Sequence, residues 1–104
     1  MTSPLIIIGA PSSAGAYAPG QEKAPGALRA AGLLDCLRAH GIHVDDWGDV
    51  PGFRWRVDRA NLRAMNADKV TMVARATADR VATALAEGSA TLVLAGDCTV
   101  GLGT

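Results

Sequence analysis

Four segments of the 104-residue chain carry side chains able to do chemistry. Gly96-Asp97-Cys98-Thr99 follows an apolar run, so Cys98 sits where a soft metal ligand or a nucleophile could be presented. A nucleophile needs a base beside it, and neither His40 nor His43 is placed by sequence to supply one. The competing reading of Cys98 is structural, a small buried residue at a tight strand exit. His40, His43, Asp45, Asp46 and Asp49 form a dense cluster with the donor types of a metal site. They also read structurally, with His40 complementing a helix dipole at its carboxyl end and the aspartates forming a turn. Phe53-Arg54-Trp55-Arg56 has the composition that stacks on single-stranded bases; with no repeated pattern around it, a loop pinning its aromatics onto a sheet edge is the preferred reading. Finally, Gly9 to Gly15 lies in a glycine-containing loop. It matches neither the dinucleotide fingerprint nor the Gly-Lys-Ser/Thr ending of a phosphate-binding loop.

The elements that must position these residues follow from hydrophobic pattern. Leu5-Ile6-Ile7-Ile8 is continuous rather than alternating, which predicts a strand buried on both faces and closed by Gly9-Ala10-Pro11. Pro25 suits the first turn of a helix. Leu28, Ala31, Leu34 and Leu37 recur at helical spacing up to a stop at Gly41, with a kink or short break expected near Gly32. Ile42-His43-Val44 predicts a short second strand running into an acidic loop, Asp45 to Asp49, and then a long loop to about Met65. A second helix is expected over 66–87, because Val70, Val73, Ala74, Thr77, Val81, Ala84 and Leu85 share one face. Thr91 to Ala95 predicts a third buried strand, followed by a glycine-rich exit.

Apolar strands alternating with helices predict an α/β fold with a parallel sheet. Ligands of such sheets bind beyond the carboxyl ends of the strands. That gathers residues 9–23, 45–65 and 95–104 along one edge.

Ten Lys and Arg balance ten Asp and Glu, for a formal net charge of zero. A coat for nucleic acid or for an anionic membrane rewards a basic excess, so neither is an expected partner. The 49% hydrophobic content excludes disorder as the main state. No run approaches a membrane span and the start lacks the pattern of a signal peptide, so the expected location is cytoplasmic. Two cysteines, Cys36 and Cys98, are too few for a disulfide scaffold.

Three segments together resemble the arginase and agmatinase family, the ureohydrolases. Ile6-Ile7-Ile8-Gly9-Ala10-Pro11, followed by Gly20 to Leu33, is similar to the family's first strand, rim loop and first helix. Asp46-Trp47-Gly48-Asp49 is similar to its Asp-x-Gly-Asp, and Leu92 to Thr99 to its strand and Gly-Gly-Asp-His-Ser turn. The resemblance implies a three-layer parallel α/β fold of the arginase type, here truncated to about three strands and two crossover helices in a single unit, 1–104. It implies hydrolysis of C–N bonds in guanidino or amidino compounds by two manganese ions bridged by a hydroxide, a dinuclear site that lowers the pKa of bound water.

Carried over residue by residue, the family's first metal-ligand histidine falls on Cys98. A thiolate is softer than imidazole and favours zinc over manganese. The remaining metal ligands of the family, in its Asp-Ala-His-x-Asp segment and late Asp-x-Asp pair, have no equivalent here. Nor do its substrate-positioning residues, so the resemblance assigns this chain no catalytic and no substrate-binding residue. The expectation is an amino-terminal portion of a ureohydrolase, inactive and poorly stable alone. An alternative expectation is a non-catalytic interaction module that completes its sheet with another chain or a second copy, through an exposed third-strand edge. A weaker one is a small-ligand binder using the glycine-rich edge.

Overall fold

A computed structural model of the chain describes residues 3–104. Three parallel strands, β1 (Leu5–Ala10), β2 (Val44–Asp49) and β3 (Thr91–Ala95), form one sheet in the order β2-β1-β3. The strand with the longest aliphatic run is the central one. Ile6, Ile7 and Ile8 are 1%, 0% and 0% exposed, because a central parallel strand is covered on both faces. Burying each such side chain is worth about 1.5–3 kcal/mol.

The crossovers divide between the two faces. Ile6, Ile8 and Ala10 pack with Val73, Val81 and Ala84 of α3 (Ala67–Ala86), together with Val50 and Val100. Ile7 faces the other way, into a smaller cluster with Val44 and Leu94 that is covered by Leu33, Leu34 and Leu37. Those leucines belong to α2 (Leu33–Ala39), which follows α1 (Ala24–Ala30). Helix, sheet and helix thus form three layers, and the two-stage chain path, outward to β2 and back past β1 to β3, reverses direction between β1 and β3.

Several sequence expectations need correction. The first helix is two helices, because Gly32 adopts φ 94° and caps α2, so the break expected there is complete. The break resets the helical phase, leaving Leu28 and Ala31 exposed while Leu33 joins Leu34 and Leu37 on the sheet. The second strand starts at Val44 and runs through the acidic segment to Asp49; Ile42 and His43 lie outside it. Backbone pairing to β1 has overridden the turn preference of aspartate, since an edge strand exposes alternate side chains to water. β1 extends to Ala10, and α3 buries Val73, Thr77, Val81 and Ala84 but leaves Leu85 exposed at its end. β3 is only partly buried except at Leu94.

The segment from Val50 to Met65 is a loop, as expected, but an ordered one. Phe53 forms an isolated parallel bridge with Ser12, and the Arg56 guanidinium stacks over the Phe53 ring at 5.4 Å. Asp58 accepts from the Asn66 N–H at 3.0 Å and from Asn61 Nδ2 at 3.2 Å, which holds its carboxyl below the ordinary carboxylate range. Asn66, at φ 60°, immediately precedes α3 and donates through Nδ2 to the Arg56 carbonyl at 2.9 Å, which ties the loop to the start of the helix. No helix among the described residues is long and apolar enough to cross a membrane.

Candidate functional site

The chain reversal between β1 and β3 opens a crevice at the strands' carboxyl ends, the usual ligand position of open α/β sheets. The loop after β1 and the turn after β3 meet there. Their backbones nearly touch: a Cβ at Gly96 would fall on the Ser12 carbonyl oxygen, so only glycine fits. The Asp97 N–H donates to that same Ser12 carbonyl at 2.9 Å.

Asp97 is the organising side chain of the turn. Only 4% exposed, it accepts from the Thr99 N–H at 2.8 Å through Oδ1 and from the Gly15 N–H at 3.1 Å through Oδ2. The Thr99 hydroxyl donates to it as well. The Thr99 bonds cap a 3-10 turn, Cys98–Gly103; the Gly15 bond ties that turn to the loop after β1. This capping is local in sequence, which is why Asp97-x-Thr99 could have signalled it.

Cys98 opens the 3-10 turn and is exposed with a free thiol. The buried-residue reading of Cys98 is thereby corrected: Asp97 takes the interior position because its carboxylate finds donors there, and the next residue points outward. The thiol borders an open groove of about 480 Å³ whose other lining residues include Val93, Ala95, Asp97 and Val100. The groove runs along the outer side of β3.

The rim of the crevice is stitched by a second relay that sequence reasoning missed. Trp55 N–H donates to Ser13 Oγ at 2.7 Å, and Ser13 Oγ donates to Glu22 Oε1 at 2.8 Å. Glu22 also accepts from the Gly20 N–H at 2.6 Å. The Gly20 bond above all, with help from Ser13 and the nearby Arg54 charge, holds the Glu22 carboxyl below its ordinary value of 4.5. Ser13 and Glu22 are separated from Trp55 by a strand and two helices, so no spacing rule connects them.

The acidic cluster at β2 is engaged elsewhere. Arg29 of α1 forms a two-pronged pair with Asp46, Nε to Oδ2 and Nη2 to Oδ1, each 3.0 Å, and a third bond to Asp49. The two aspartates raise the Arg29 pKa against the opposing effect of partial burial. Gly9 is confined by this arrangement, since a Cβ there would fall on the Asp49 carboxylate. His40 caps α2 with Nδ1 2.8 Å from the Cys36 carbonyl oxygen, in keeping with a helix-end role. His43 is exposed beside the start of β2.

Among the described residues, no three His, Cys, Asp or Glu side chains converge closely enough to hold a metal ion. Around Cys98 the one neighbouring carboxylate, Asp97, is buried and already occupied by three donors. The donor set therefore does not fit the two-manganese centre that the resemblance implies. Hard divalent cations need several oxygen or imidazole donors converging on one point, and the turn after β3 offers one accessible thiol.

Residues 3–104 match the arginase family. The chain is 34% identical to human Arginase-2, mitochondrial, over 96% of its own length and 28% of the relative's. It is 36% identical to human Arginase-1, covering 94% of itself and 30% of that protein. Its structure superposes on the arginase from Bacillus subtilis with a TM-score of 0.82 at 28% identity, covering 98% of this chain and 32% of the other. The native arginase of Bacillus caldovelox gives 0.81 at 29% identity, with 99% and 35% coverage. With the motif order, the three-layer fold and the β3 turn all in agreement, the chain belongs to the arginase family and spans about a third of the length of the relatives it matches.

Proposed function

We propose that this chain contributes the β1–β3 crevice of a ureohydrolase, an enzyme that hydrolyses a C–N bond of a guanidino or amidino compound at a dinuclear manganese site, and that the 104 residues alone are inactive. The observation that carries this reading is the position of Cys98. By the resemblance it falls on the family's first metal-ligand position; its thiol is exposed after β3, and among the described residues no group of three His, Cys, Asp or Glu side chains gathers to hold a metal. Hydrolysis of a guanidino carbon needs an activated water held against a poor electrophile, and one donor cannot fix a hard cation for that purpose. Within the chain the residues' work is positional: Asp97 and Gly15 hold the turn, and Ser13 and Glu22 hold the rim. The reading implies a cytoplasmic protein with reduced Cys36 and Cys98.

Two measurements test it. The purified chain, dialysed against manganese and assayed for urea from arginine and agmatine, is expected to retain no stoichiometric metal and release no urea; stoichiometric manganese with urea release overturns the inactivity. Grafted in place of the matching third of human Arginase-1, the segment carrying Cys98→His is expected to retain more manganese than the segment with Cys98. Equal retention removes Cys98 from the ligand position.

A further inference from the structure

We propose that Arg54 is an ionic clasp for the crevice rim: its guanidinium swings onto the Glu22 carboxylate, locks the loop after β2 onto the loop after β1, and is loosened by rising salt. The inference rests on groups that residues 11–22 and 53–55 bring together among themselves, and is independent of the catalytic reading.

The two oxygens of Glu22 are unequally served. Oε1 accepts from Ser13 Oγ at 2.8 Å and from the Gly20 N–H at 2.6 Å. Oε2 is buried with no hydrogen-bond partner, the one such side-chain atom among the described residues. A buried carboxylate oxygen without a donor is costly. Its carboxyl is nonetheless held in the charged form, first by the Gly20 bond, and the cation whose charge acts on it is Arg54. Glu22 as a whole is half-buried, so its carboxylate lies within a side chain's rotation of the surface.

The backbone around Arg54 is pinned from both sides to the loop that carries Glu22. Phe53 N–H donates to the Pro11 carbonyl at 3.1 Å, Ser13 N–H donates to the Phe53 carbonyl at 2.8 Å, and Trp55 N–H donates to Ser13 Oγ at 2.7 Å. Only side-chain torsions of Arg54 therefore remain to be set. That side chain is exposed, and among the described residues it makes no ion pair. Its neighbour Arg56 is already engaged over the Phe53 ring and does not compete for the carboxylate. A guanidinium offers five N–H donors on a long flexible stem, which suits a lone carboxylate oxygen.

The rim is seated on the turn after β3, since a Cβ at Gly96 would come within 2.9 Å of the Gln21 carbonyl oxygen, next to Glu22. Closing the clasp holds the loop after β1 down on the turn that carries Asp97 and Cys98; with the clasp open, the loop after β2 is tied to Glu22 through Ser13 alone. A pair formed at the surface is weak and screened by salt, which makes the clasp reversible.

Amide exchange at Trp55 reads the clasp, because that N–H is bonded to Ser13 Oγ beside Glu22. In the 104-residue chain at neutral pH, raising the salt from about 0.01 to about 1 M shortens the screening length from about 30 to about 3 Å. Trp55 exchange is expected to quicken about fivefold while the amides of β1 stay protected. Arg54→Met is expected to exchange at the fast rate at both salt concentrations, and Arg54→Lys, which keeps the charge, to recover part of the salt response. A wild-type rate that ignores salt, or a salt response that survives in Arg54→Met, overturns the proposal. Glu22→Gln combined with Arg54→Met is expected to quicken exchange no further than Glu22→Gln alone, and additive effects overturn the pairing. Should Glu22→Gln not fold, the salt response of the wild type against that of Arg54→Met decides, since Arg54 is exposed and its replacement leaves the core untouched.

Discussion

The two edges of the sheet end in different ways. β2 is acidic and irregular: Asp45, Asp46 and Asp49 lie along it, Gly48 turns the backbone at φ 76°, and its pairing with β1 shifts between Ile7 and Gly9. β3 is uncharged and in unbroken register with β1 over five residues. Charge and irregularity are the devices by which sheets discourage further pairing. The difference teaches that the features which discourage further pairing are concentrated on β2, and that β3 carries none of them. The anchoring at the two carboxyl ends differs as well. β2 is held by the partly exposed Arg29 ion pairs, and the turn after β3 by a buried carboxylate taking neutral donors.

That contrast predicts unequal costs. Asp97→Ala removes the buried carboxylate that the partly buried Gly15 and Thr99 N–H groups donate to, and is expected to lower unfolding stability by roughly 2 kcal/mol in urea titration. Asp97→Asn, which keeps one acceptor oxygen, should cost visibly less. Arg29→Ala is expected to cost about 1 kcal/mol, because water screens the pairs and can solvate the released carboxylates. A larger loss for Arg29→Ala than for Asp97→Ala would break the comparison. The smallest expected effect lies at the rim. Glu22 has its pKa depressed in the folded chain, so its bonds stabilise the rim above the ordinary value of 4.5 and are lost as the pH falls below that value through the folded pKa. Amide exchange at Trp55, which donates to Ser13, is expected to quicken over that interval while the amides of β1 stay protected. Simultaneous loss at Trp55 and β1 would show that the rim is not a separate unit.

Much of the scaffold was legible in residue pattern. Ile6 to Ile8 signalled a strand covered on both faces, and the 3.6-residue recurrence of Val73, Thr77, Val81 and Ala84 signalled α3 and its buried stripe. Gly32 signalled the helix break. The acidic residues of β2 misled, since aspartate favours turns locally and only pairing with β1 draws it into a strand. Cys98 was found by motif and Asp97 was not weighed, although Asp97 has the buried, organising role. The relay from Trp55 through Ser13 to Glu22 left no trace in spacing, because the connection after β1 that holds Ser13 and Glu22 is far in sequence from the loop that holds Trp55.

By itself, then, the sequence determined the α/β class, the alternation of elements, the family and the place of Cys98 after the third strand. These depend on periodicity and local backbone preference, which act over a few residues. Tertiary structure alone decided that Asp97 is buried while Cys98 is exposed, that Arg29 claims Asp46 and Asp49, and that Ser13 joins Glu22 to Trp55. Each of these depends on which segments meet in space, and on a register that one residue of slip would reverse.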